Sequence, residues 1–408
     1  MNDKKQKKVL LVNAHWSNHG DEAAIRAIIR EIFKVIPNAK ITMLIKDKKD
    51  IPEDIVIDGH IIENVSCQFL PNRADYFIQL LSIGKVGRNK QMKFMYSMME
   101  QSDYIIYAPG GAVISDRFWW RKQLEYLLPL IYSIRRKKPI YLASPSVGPF
   151  ENHLFRNIVR KYIFKRIKYF YVRESISKNY LSNIGSDKGV EITIDSAFCD
   201  WENTDINHNQ YKNDSKLEDF LNSYETIIGI TITELDWNVK YKNTDISKKI
   251  QKELKEYCRY LKDNNIGVLF IPQLFGNQND SKLLEKYSID NSMILNEKYS
   301  SDIQQEVISK LSMLVGMRYH SNIFAAKQGV PFIPIIYEEK MSGFLADSGL
   351  EKYGISVDEL SADKLIEMTQ KVLVDQKQYR NQLVKLRDSW KQSALKTKES
   401  LRGYLLSE

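Results

Sequence analysis

The chain has 408 residues, 43% of them hydrophobic and 27% charged, a composition typical of globular proteins and unlike that of disordered or fibrous ones. This length predicts two domains, since a single hydrophobic core seldom grows so large. The formal net charge of +9 favours an acidic partner. The sequence has no zinc-finger spacing, RNA-binding sheet motif or basic low-complexity tail, which argues against nucleic acid as that partner.

The cysteines and the amino terminus indicate the cellular compartment. Cys67, Cys199 and Cys258 are isolated and odd in number, which fits a reducing compartment and argues against a disulfide framework. No apolar run approaches the roughly 20 residues that span a bilayer. The first residues, "MNDKKQKK", lead into a short strand and not into the core of a signal peptide. The sequence therefore predicts a cytoplasmic protein without a membrane-spanning segment.

Buried strands alternate with helices along the first 200 residues. "KKVLLVNA" predicts a strand, and "GDEAAIRAIIREIFKVI" predicts a helix that ends before Pro37. Further strands are predicted at "ITMLI", "DYIIYA", "PIYLAS", "YFYVR" and "EITID", with helices over 88–101, 119–136 and 152–168. Such an alternation predicts a parallel sheet with helices on both faces.

A second alternation follows a polar stretch rich in Asn and Asp. Its strands are predicted at "TIIGITIT", "IGVLFIP", "SMILN", "SMLVG" and "PFIPII", with helices near 246–263, 280–287, 301–310, 320–328 and 338–347. We therefore expect an α/β protein with two Rossmann-like doubly wound domains that face a central cleft. The predicted domains are an N-terminal one over 1–200, a linker over 201–224, a C-terminal one over 225–360, and helices over 361–408.

The loops that follow these strands are rich in glycine, serine and short polar residues, and doubly wound sheets bind ligands beyond the carboxyl ends of their strands. Gly110 and Gly111 have no side chains, so their N–H groups can approach a phosphate, although a tight turn explains this pair as well. Arg173 follows the strand "YFYV", and Ser175 is expected to cap the next helix. The Arg173 guanidinium is expected either to point to the cleft or to form a surface ion pair with Glu174.

The segment "GMRYH" follows a strand of the second domain and carries two cationic or ionisable side chains. Arg318 and His320 are two residues apart in a predicted extended loop, so their side chains would point the same way just before a helix starts. A lone histidine is more often structural than catalytic. This one stands beside an arginine at the carboxyl end of a strand, which favours a place in the active site.

Six blocks together resemble the polysaccharide pyruvyl transferase family: "NHGDEAAI", "PGGAVISD", "SPSVGPF", "VRESIS", "DSAF" and "GMRYHSNIFAAKQGVPFIPIIYEEKMSGF". The Arg-x-His block with its downstream lysine is the most specific of them. The resemblance implies the two-domain GT-B arrangement of glycosyltransferases. It also implies transfer of the enolpyruvyl unit of phosphoenolpyruvate to a sugar, with formation of a pyruvate ketal and release of phosphate. Tyr319 stands where other members have leucine, a change that removes no charged group.

The resemblance further implies a binding site for an anionic donor. Phosphoenolpyruvate carries a carboxylate and a phosphate, and Arg173, Arg318 and Lys340 would supply the cations that bind them. His320 is expected to protonate the methylene carbon, since a neighbouring anion keeps an imidazole charged near neutral pH.

Other residues of these blocks are expected to complete the site. A base for the acceptor hydroxyl is expected from the first domain, and Asp21 is the candidate, although an Asp at this place can also cap the following helix. Asn18, Gly110 and Gly111 are expected to bind substrate. No carboxylate pair or His/Cys cluster has convincing metal-ligand spacing, so neither a metal nor a cofactor is expected, and phosphoenolpyruvate is the donor substrate.

The acceptor implied by the resemblance is a sugar of a cell-surface polysaccharide precursor, such as a lipid-linked saccharide of an exopolysaccharide, capsule or cell wall. "FRNIVRKYIFKRIKYF" surrounds an apolar stripe with cations, and "RFWWRK" places Phe118, Trp119 and Trp120 among cations. Both segments are candidates for peripheral contact with the inner membrane surface or with a lipid diphosphate. The first is equally typical of a core-facing helix with a solvated basic face.

One enzyme of another class fits the same sequence features. A GT-B-type glycosyltransferase has the same two-domain architecture, and a cationic cleft would also suit a nucleotide sugar. The mass of the product distinguishes the two reactions, because an added pyruvyl group and an added hexose differ plainly.

Overall fold

The computed structural model describes residues 6–45, 55–67, 74, 78, 90–109, 114–116, 120–201, 210–276 and 279–407. The chain divides into two compact units. The first comprises Met1–Trp16, Ala24–Asp200 and Gln392–Glu408, and the second comprises Ser17–Ala23 and Trp201–Lys391. Each unit therefore includes a short piece of chain that is remote in sequence from its main segment.

The first unit is built on a mainly parallel sheet whose central strands are apolar along their length, as expected where helices cover both faces. The order across the sheet is β3-β4-β2-β1-β5-β6-β7-β8, and only β3 and β4 pair antiparallel in the described part of it. The strands are β1 Lys8–Ala14, β2 Lys40–Ile45, β3 Ile55–Ile57, β4 His60–Ser66, β5 Tyr104–Tyr107, β6 Tyr141–Leu142, β7 Tyr169–Val172 and β8 Glu191–Ile192.

Helices and strands of the first unit enclose a hydrophobic core. Leu10, Met95, Tyr107 and Leu142 are fully buried in it, and burying a side chain of this size stabilises the fold by about 1.5–3 kcal/mol. The helices are α1 His19–Val35, whose first turn belongs to the second unit, α2 Lys90–Gln101, α3 Trp120–Arg136, α4 His153–Tyr162 and α5 Ser175–Asn183.

The second unit is built on a parallel sheet with the order β11-β10-β9-β12-β13-β14. Numbered from β9, this is the order 3-2-1-4-5-6 of the Rossmann fold, which reverses between β9 and β12. The strands are β9 Ile227–Thr231, β10 Gly267–Phe270, β11 Ser292–Ile294, β12 Met313–Gly316, β13 Phe332–Ile336 and β14 Ile355–Ser356.

Further helices follow in chain order within the described ranges. They are α6 Ser215–Ser223, α7 Ile246–Asp263, α8 Ser281–Leu284, α9 Ser301–Ile308, α10 Tyr319–Gln328, α11 Glu339–Ser348, α12 Ala362–Val374 and α13 Gln376–Leu405. The last of them begins in the second unit and ends in the first. None of the helices in the described ranges is both long and apolar enough to cross a membrane.

The predicted fold class, α/β with two Rossmann-like doubly wound domains, is confirmed by these two sheets. The helix predicted over 152–168 is shorter, because α4 ends at Tyr162 and a 3-10 turn, Phe164–Arg166, follows it. Part of the segment expected to be a linker, 201–224, is folded: α6 lies within it, and its Leu217 is fully buried.

The hairpin of β3 and β4 was not predicted from the sequence. Asp58 and Gly59 connect its strands with φ values of 49° and 80°. A two-residue turn of this kind requires positive φ at both positions, which Asp-Gly adopts readily. The dipeptide between the apolar runs "IVI" and "HII" is the local signal that identifies this hairpin.

Candidate active site

The carboxyl ends of β9 and β12 meet where the strand order of the second sheet reverses. Thr231 ends β9, and its carbonyl oxygen accepts a hydrogen bond from the N of Met317 at 3.0 Å. The Thr231 Oγ1 accepts from the N of Arg318 at 3.3 Å and lies 2.8 Å from the Oγ of Ser321. Doubly wound sheets bind ligands at such a switch point, so the Arg-x-His block lies where a ligand of this unit is expected.

A buried carboxylate that sequence analysis did not identify anchors Arg318, the extended residue before α10. The Nη2 of Arg318 donates to Asp280 Oδ1, and Asp280 Oδ2 accepts from the backbone N of Gln273 and of Leu274 at 3.0 Å each. The Arg318 Nε is buried and has no hydrogen-bond partner among the described residues. An unsatisfied buried donor costs about 1–3 kcal/mol, a cost that a bound anion would remove.

His320 is the second residue of α10, which corrects the predicted geometry of the Arg-x-His block: Arg318 is extended, but the helix has already begun at Tyr319. His320 is 7% exposed, and its ring meets that of Tyr319 edge to face with the centroids 5.1 Å apart. Gly20 lies directly against the imidazole, because a Cβ on Gly20 would be 2.0 Å from both Cγ and Nδ1 of His320. Only a residue without a side chain fits there, so Gly20 limits where the ring can lie.

Lys340, in the first turn of α11, belongs to the same group of side chains. Its Nζ lies 2.7 Å from the Glu338 carboxylate and 5.4 Å from the centroid of the Tyr319 ring. Burial raises the pKa of Tyr337, Glu338 raises it further, and Arg318 lowers it. Lys340 thus adjoins Tyr319, the residue that separates Arg318 and His320 in the sequence.

The motif "NHGDE" lies with the second unit, although sequence analysis assigned it to the first domain. Asn18 forms a bridge with Leu274 and caps α1, since its Oδ1 accepts from the N of Gly20 at 2.9 Å and of Asp21 at 3.4 Å. The capping role considered for Asp21 is therefore performed by Asn18. Asp21 is buried in the first turn of α1 and shares a compact unit with His320, so it does not come from the opposite domain.

Two residues missed in the sequence, His19 and Glu22, fasten this motif to the second unit. The Nδ1 of His19 lies 2.9 Å from Glu22 Oε2, and its Nε2 lies 2.9 Å from the carbonyl oxygen of Glu297. Glu22 also accepts from the N of Ser301 at 3.2 Å. The i, i+3 spacing of His19 and Glu22 at a helix start is the sequence signal for this pair.

Arg173 belongs to the first unit, where it joins the carboxyl ends of β6, β7 and β8. Its Nε donates to Ser146 Oγ at 2.7 Å, and its Nη1 donates to Asp195 Oδ2. Glu174 Oε2 lies 3.3 Å from the same Nε. Of the two geometries considered, ion pairing with Glu174 is the one observed, but the pair is buried and not on the surface, with the Arg173 side chain 6% exposed.

The "DSAF" block supplies the second carboxylate of this cluster. Asp195 Oδ1 accepts from the N of Ala197 at 2.9 Å and so caps the 3-10 turn Ser196–Phe198, while its Oδ2 holds Arg173. Two blocks of the family resemblance, "VRES" and "DSAF", are therefore joined by one buried ion pair.

Glu174, and not Ser175, occupies the N-cap position of α5. The prediction that Ser175 caps this helix is wrong, because the helix already begins at Ser175, and Glu174 makes no capping hydrogen bond with its side chain. Burial raises the pKa of Glu174, whereas Arg173 and the Ser177 hydroxyl, which donates to the carboxylate, lower it. Arg173 therefore does not fully offset the cost of burying this acid.

Several predicted residues fall where the structure gives no description. Gly110 and Gly111 lie outside the described residues, as do Phe118 and Trp119 of "RFWWRK". Trp120 marks the first residue of α3. The predicted phosphate-binding role of the two glycines remains a prediction.

Within the described ranges, no three His, Cys, Asp or Glu side chains come together as a group that could hold a metal ion. The three cysteines are buried, and none of them is in a disulfide. Burial raises the pKa of the Cys67 thiol to about 11 and that of Cys258 to about 12, so both are protonated and poorly nucleophilic near neutral pH.

The chain is similar to known proteins over nearly all of its length. The family model for polysaccharide pyruvyl transferase matches residues 18–339. The amylovoran biosynthesis protein AmsJ of Erwinia amylovora is 22% identical over 414 residues, which cover 93% of this chain and 95% of AmsJ.

Two solved structures share the fold at low sequence identity. The UDP-GlcNAc 2-epimerase of Neisseria meningitidis, solved with UDP-GlcNAc, superposes with a TM-score of 0.61 at 12% identity, covering 97% of this chain and 99% of that one. The α,α-trehalose 6-phosphate synthase of Burkholderia multivorans gives 0.54 at 13% identity, with 98% and 99% covered. These likenesses establish the two-domain Rossmann-like fold.

The match of the family model includes the switch point of the second sheet, the Arg173 cluster and the motif that contains Gly20. It spans well over half of the 408 residues, and its description agrees with the relative from amylovoran biosynthesis in pointing to polysaccharide modification. The chain is therefore a transferase that belongs to the polysaccharide pyruvyl transferase family.

Proposed function

We propose that this enzyme transfers the enolpyruvyl unit of phosphoenolpyruvate to two hydroxyls of a sugar in a polysaccharide precursor, forming a pyruvate ketal. One observation carries the proposal. Arg318, with a buried Nε that has no hydrogen-bond partner among the described residues, stands at the switch point of the second sheet, directly before Tyr319 and His320. The Lys340 Nζ lies 5.4 Å from the centroid of that tyrosine ring. Membership of the pyruvyl transferase family supports the reaction class.

The donor site is proposed to form around Arg318. Phosphoenolpyruvate carries a phosphate and a carboxylate, and both accept charge-assisted hydrogen bonds from a guanidinium. Asp280 accepts a hydrogen bond from the Nη2 of Arg318 and so orients the guanidinium. The Nε, which has no partner among the described residues, is then the donor proposed for the ligand. Lys340 adds a point charge that Glu338 partly neutralises and that Tyr319 supports by a cation–π contact. Two cations of different geometry thus serve the two anionic groups.

His320 is proposed as the general acid. Protonation of the methylene carbon makes the methyl group and leaves an oxocarbenium-like centre at the ether carbon. The two sugar hydroxyls each form a C–O bond to this carbon, the bond from carbon to the phosphate oxygen breaks, and the leaving phosphate departs with the remaining proton. The sugar supplies both hydrogens, so the reaction needs no oxidant or reductant. Gly20 holds the imidazole in place for the transfer.

Asp21 is proposed as the base for the acceptor hydroxyl. It is buried, it follows the glycine that touches His320, and it shares a compact unit with that histidine. A carboxylate and an imidazole close together can remove one proton and deliver another in the same turnover. No metal is assigned to the reaction, since arginine and lysine supply the positive charge that a bound cation would otherwise provide.

The experiment that tests this function uses phosphoenolpyruvate labelled in its enolpyruvyl carbons, together with lipid-linked saccharides, in the presence of a chelator. We expect label to enter the saccharide with a mass gain of one pyruvate less one water, and phosphate to be released in equal amount. Failure of label transfer together with hexose transfer from a nucleotide sugar would contradict the proposal and favour the glycosyltransferase alternative.

A further inference from the structure

We propose that a cationic face at the amino-terminal edge of the first sheet binds the surface of an anionic phospholipid bilayer. The neighbouring strands β6 and β7 both begin at this edge, where Tyr141 pairs with Tyr169 in parallel register. The chain enters β6 through "RRKKPI", residues 135–140, and enters β7 through "KRIK", residues 165–168. Because the two strands are parallel neighbours, these two cationic runs lie side by side.

A cavity of about 440 Å³ confirms that the two runs adjoin. It is lined by Lys137 and Lys138 from the first run and by Arg166 and Lys168 from the second, with isoleucine and proline side chains between them. The cavity lies at the edge of the sheet opposite the Arg173 cluster, since Arg173 follows the carboxyl end of β7. The cationic face is defined here as Arg135, Arg136, Lys137, Lys138, Arg160, Lys161, Lys165, Arg166 and Lys168.

The positive charge of this face is poorly offset. No Asp or Glu occurs in the sequence over 133–150 or over 152–168. Glu100 balances part of the charge, because its carboxylate lies 3.4 Å from Arg136 Nε and its carbonyl oxygen accepts from Lys138 Nζ at 2.6 Å. The other cations of the face are exposed to solvent. A cluster of this kind attracts an anionic surface over a distance of about one Debye length, ~8 Å at physiological salt.

Apolar side chains stand out from helix α4, which leads into the cationic face. Leu154 is 72% exposed and Tyr162 is 43% exposed. They are eight residues apart, with Ile158 midway, so they lie on one side of the helix. The Nζ of Lys161 lies 5.3 Å from the centroid of the Tyr162 ring, and the guanidinium of Arg166 lies 5.6 Å from it. An aromatic ring between cations is typical of residues at a membrane interface.

The combination of charge and exposed apolar groups favours a bilayer over other polyanions. A soluble anionic polymer would be attracted by the charge, and its binding would not involve the exposed aliphatic side chain of Leu154. A bilayer surface can bind both kinds of group, because its anionic headgroups attract the cations while leucine and tyrosine enter the interface. The inference does not rest on the proposed function, since vesicle binding is measured without turnover.

The test is co-sedimentation of the full-length protein with phosphatidylcholine vesicles, with and without phosphatidylglycerol. We expect binding only to the vesicles that contain phosphatidylglycerol. Reversing three charges should lower the partition coefficient by at least on the order of a hundredfold, since each cation near such a surface contributes about 1 kcal/mol. This face variant combines Lys165→Glu, Arg166→Glu and Lys168→Glu.

A matched control changes the net charge by the same amount elsewhere. It combines Lys371→Glu, Lys377→Glu and Lys385→Glu, three exposed lysines of α12 and α13. We expect the control to bind nearly as well as the unmodified chain, and equal melting temperatures would show that both variants are folded. Leu154→Ser should weaken binding severalfold at unchanged charge.

Three outcomes would overturn the inference. The first is equal binding by the face variant and the control, which would mean that net charge alone decides. The second is equal binding to neutral and anionic vesicles. The third is binding to a soluble polyanion such as heparin without binding to either kind of vesicle, which would assign the cationic face to a different partner.

Discussion

Two arginines, Arg173 and Arg318, each follow a strand at the carboxyl edge of a Rossmann-like sheet, but they have different surroundings. Arg173 is 6% exposed, and two carboxylates and a serine hydroxyl surround its guanidinium. Arg318 is 15% exposed, has one carboxylate at its Nη2, and has an Nε with no hydrogen-bond partner in the described part of the chain. We therefore propose a division of roles in which Arg173 stabilises the first unit and Arg318 binds the donor in the second.

An arginine at the end of a strand is therefore not by itself evidence of a ligand-binding site. An arginine in a buried ion pair can contribute little to the free energy of ligand binding, because the carboxylates already accept the hydrogen bonds of its guanidinium. What distinguishes the second unit is the unsatisfied donor together with a histidine and a lysine around one tyrosine.

His320→Gln should give the largest effect. An amide can still donate a hydrogen bond to phosphate but cannot deliver a proton, so we expect turnover to fall by on the order of 10² to 10⁴. Donor affinity should change less. Substantial ketal formation by the variant would assign the proton to another group.

Arg173→Ala should mainly lower stability. The substitution leaves Asp195 and Glu174 buried without their cation, so the free energy of unfolding should drop by about 3–5 kcal/mol. Arg160→Ala is the control, since Arg160 is exposed and its removal should stay within about 0.5 kcal/mol. Denaturant titration measures both. If Arg173→Ala instead raised the Kd for phosphoenolpyruvate with little loss of stability, the donor-binding role predicted from the sequence would be correct.

Gly20→Ala should displace His320 without removing any catalytic group. The new methyl group would overlap the imidazole, and a shift of about 1 Å in a reacting group can lower the rate by on the order of 10²-fold. Gly403→Ala is a matched control, because Gly403 is also helical and has no atom within 4 Å of its added Cβ. We expect the control to retain full activity and equal or slightly higher stability. Equal turnover in both variants would show that Gly20 does not position the imidazole.

Glu174→Gln should give the smallest effect, visible as a change in pH dependence. Burial raises the pKa of Glu174 in the folded state, so the unfolded chain loses this proton first as the pH rises. The protonated acid therefore makes its whole contribution to the free energy of unfolding below the ordinary glutamate pKa of about 4.3. This contribution is lost as the pH rises through the raised pKa of the folded state. Relative to the Gln variant, the unmodified enzyme should lose unfolding free energy over this range. A difference independent of pH would contradict the assignment.

Local sequence signals predicted the framework of both sheets and the position of the Arg-x-His block. Continuous apolar runs define the central strands, and the rule for carboxyl ends places Arg318 at the edge where ligands bind. The Asp-Gly dipeptide at residues 58 and 59, between two apolar runs, is likewise a local signal for a hairpin. These features depend on residues close together in the chain, so patterns in the sequence are sufficient to find them.

Features that depend on distant segments could not be predicted in this way. Asp280 reaches Arg318 from the loop after β10, and Asp195 reaches Arg173 from the loop after β8. At Ser17, the segment that contains Gly20 leaves the first unit and joins the second. There the N of His19 donates to the carbonyl oxygen of Gln273, and the N of Phe275 donates to that of Ser17. Such pairings are set by tertiary packing, for which periodicity and propensity carry no information.

The most direct test of the division of roles is thermal unfolding with phosphoenolpyruvate in the presence of EDTA. A ligand that binds only the native state raises the melting temperature by mass action. We expect a clear rise in the melting temperature of the unmodified enzyme and the loss of most of it in Arg318→Lys, which keeps the charge next to Asp280 but lacks the Nε donor and the planar fork. An equal rise in Arg318→Lys, or a rise that requires a divalent cation, would contradict the proposed role of Arg318.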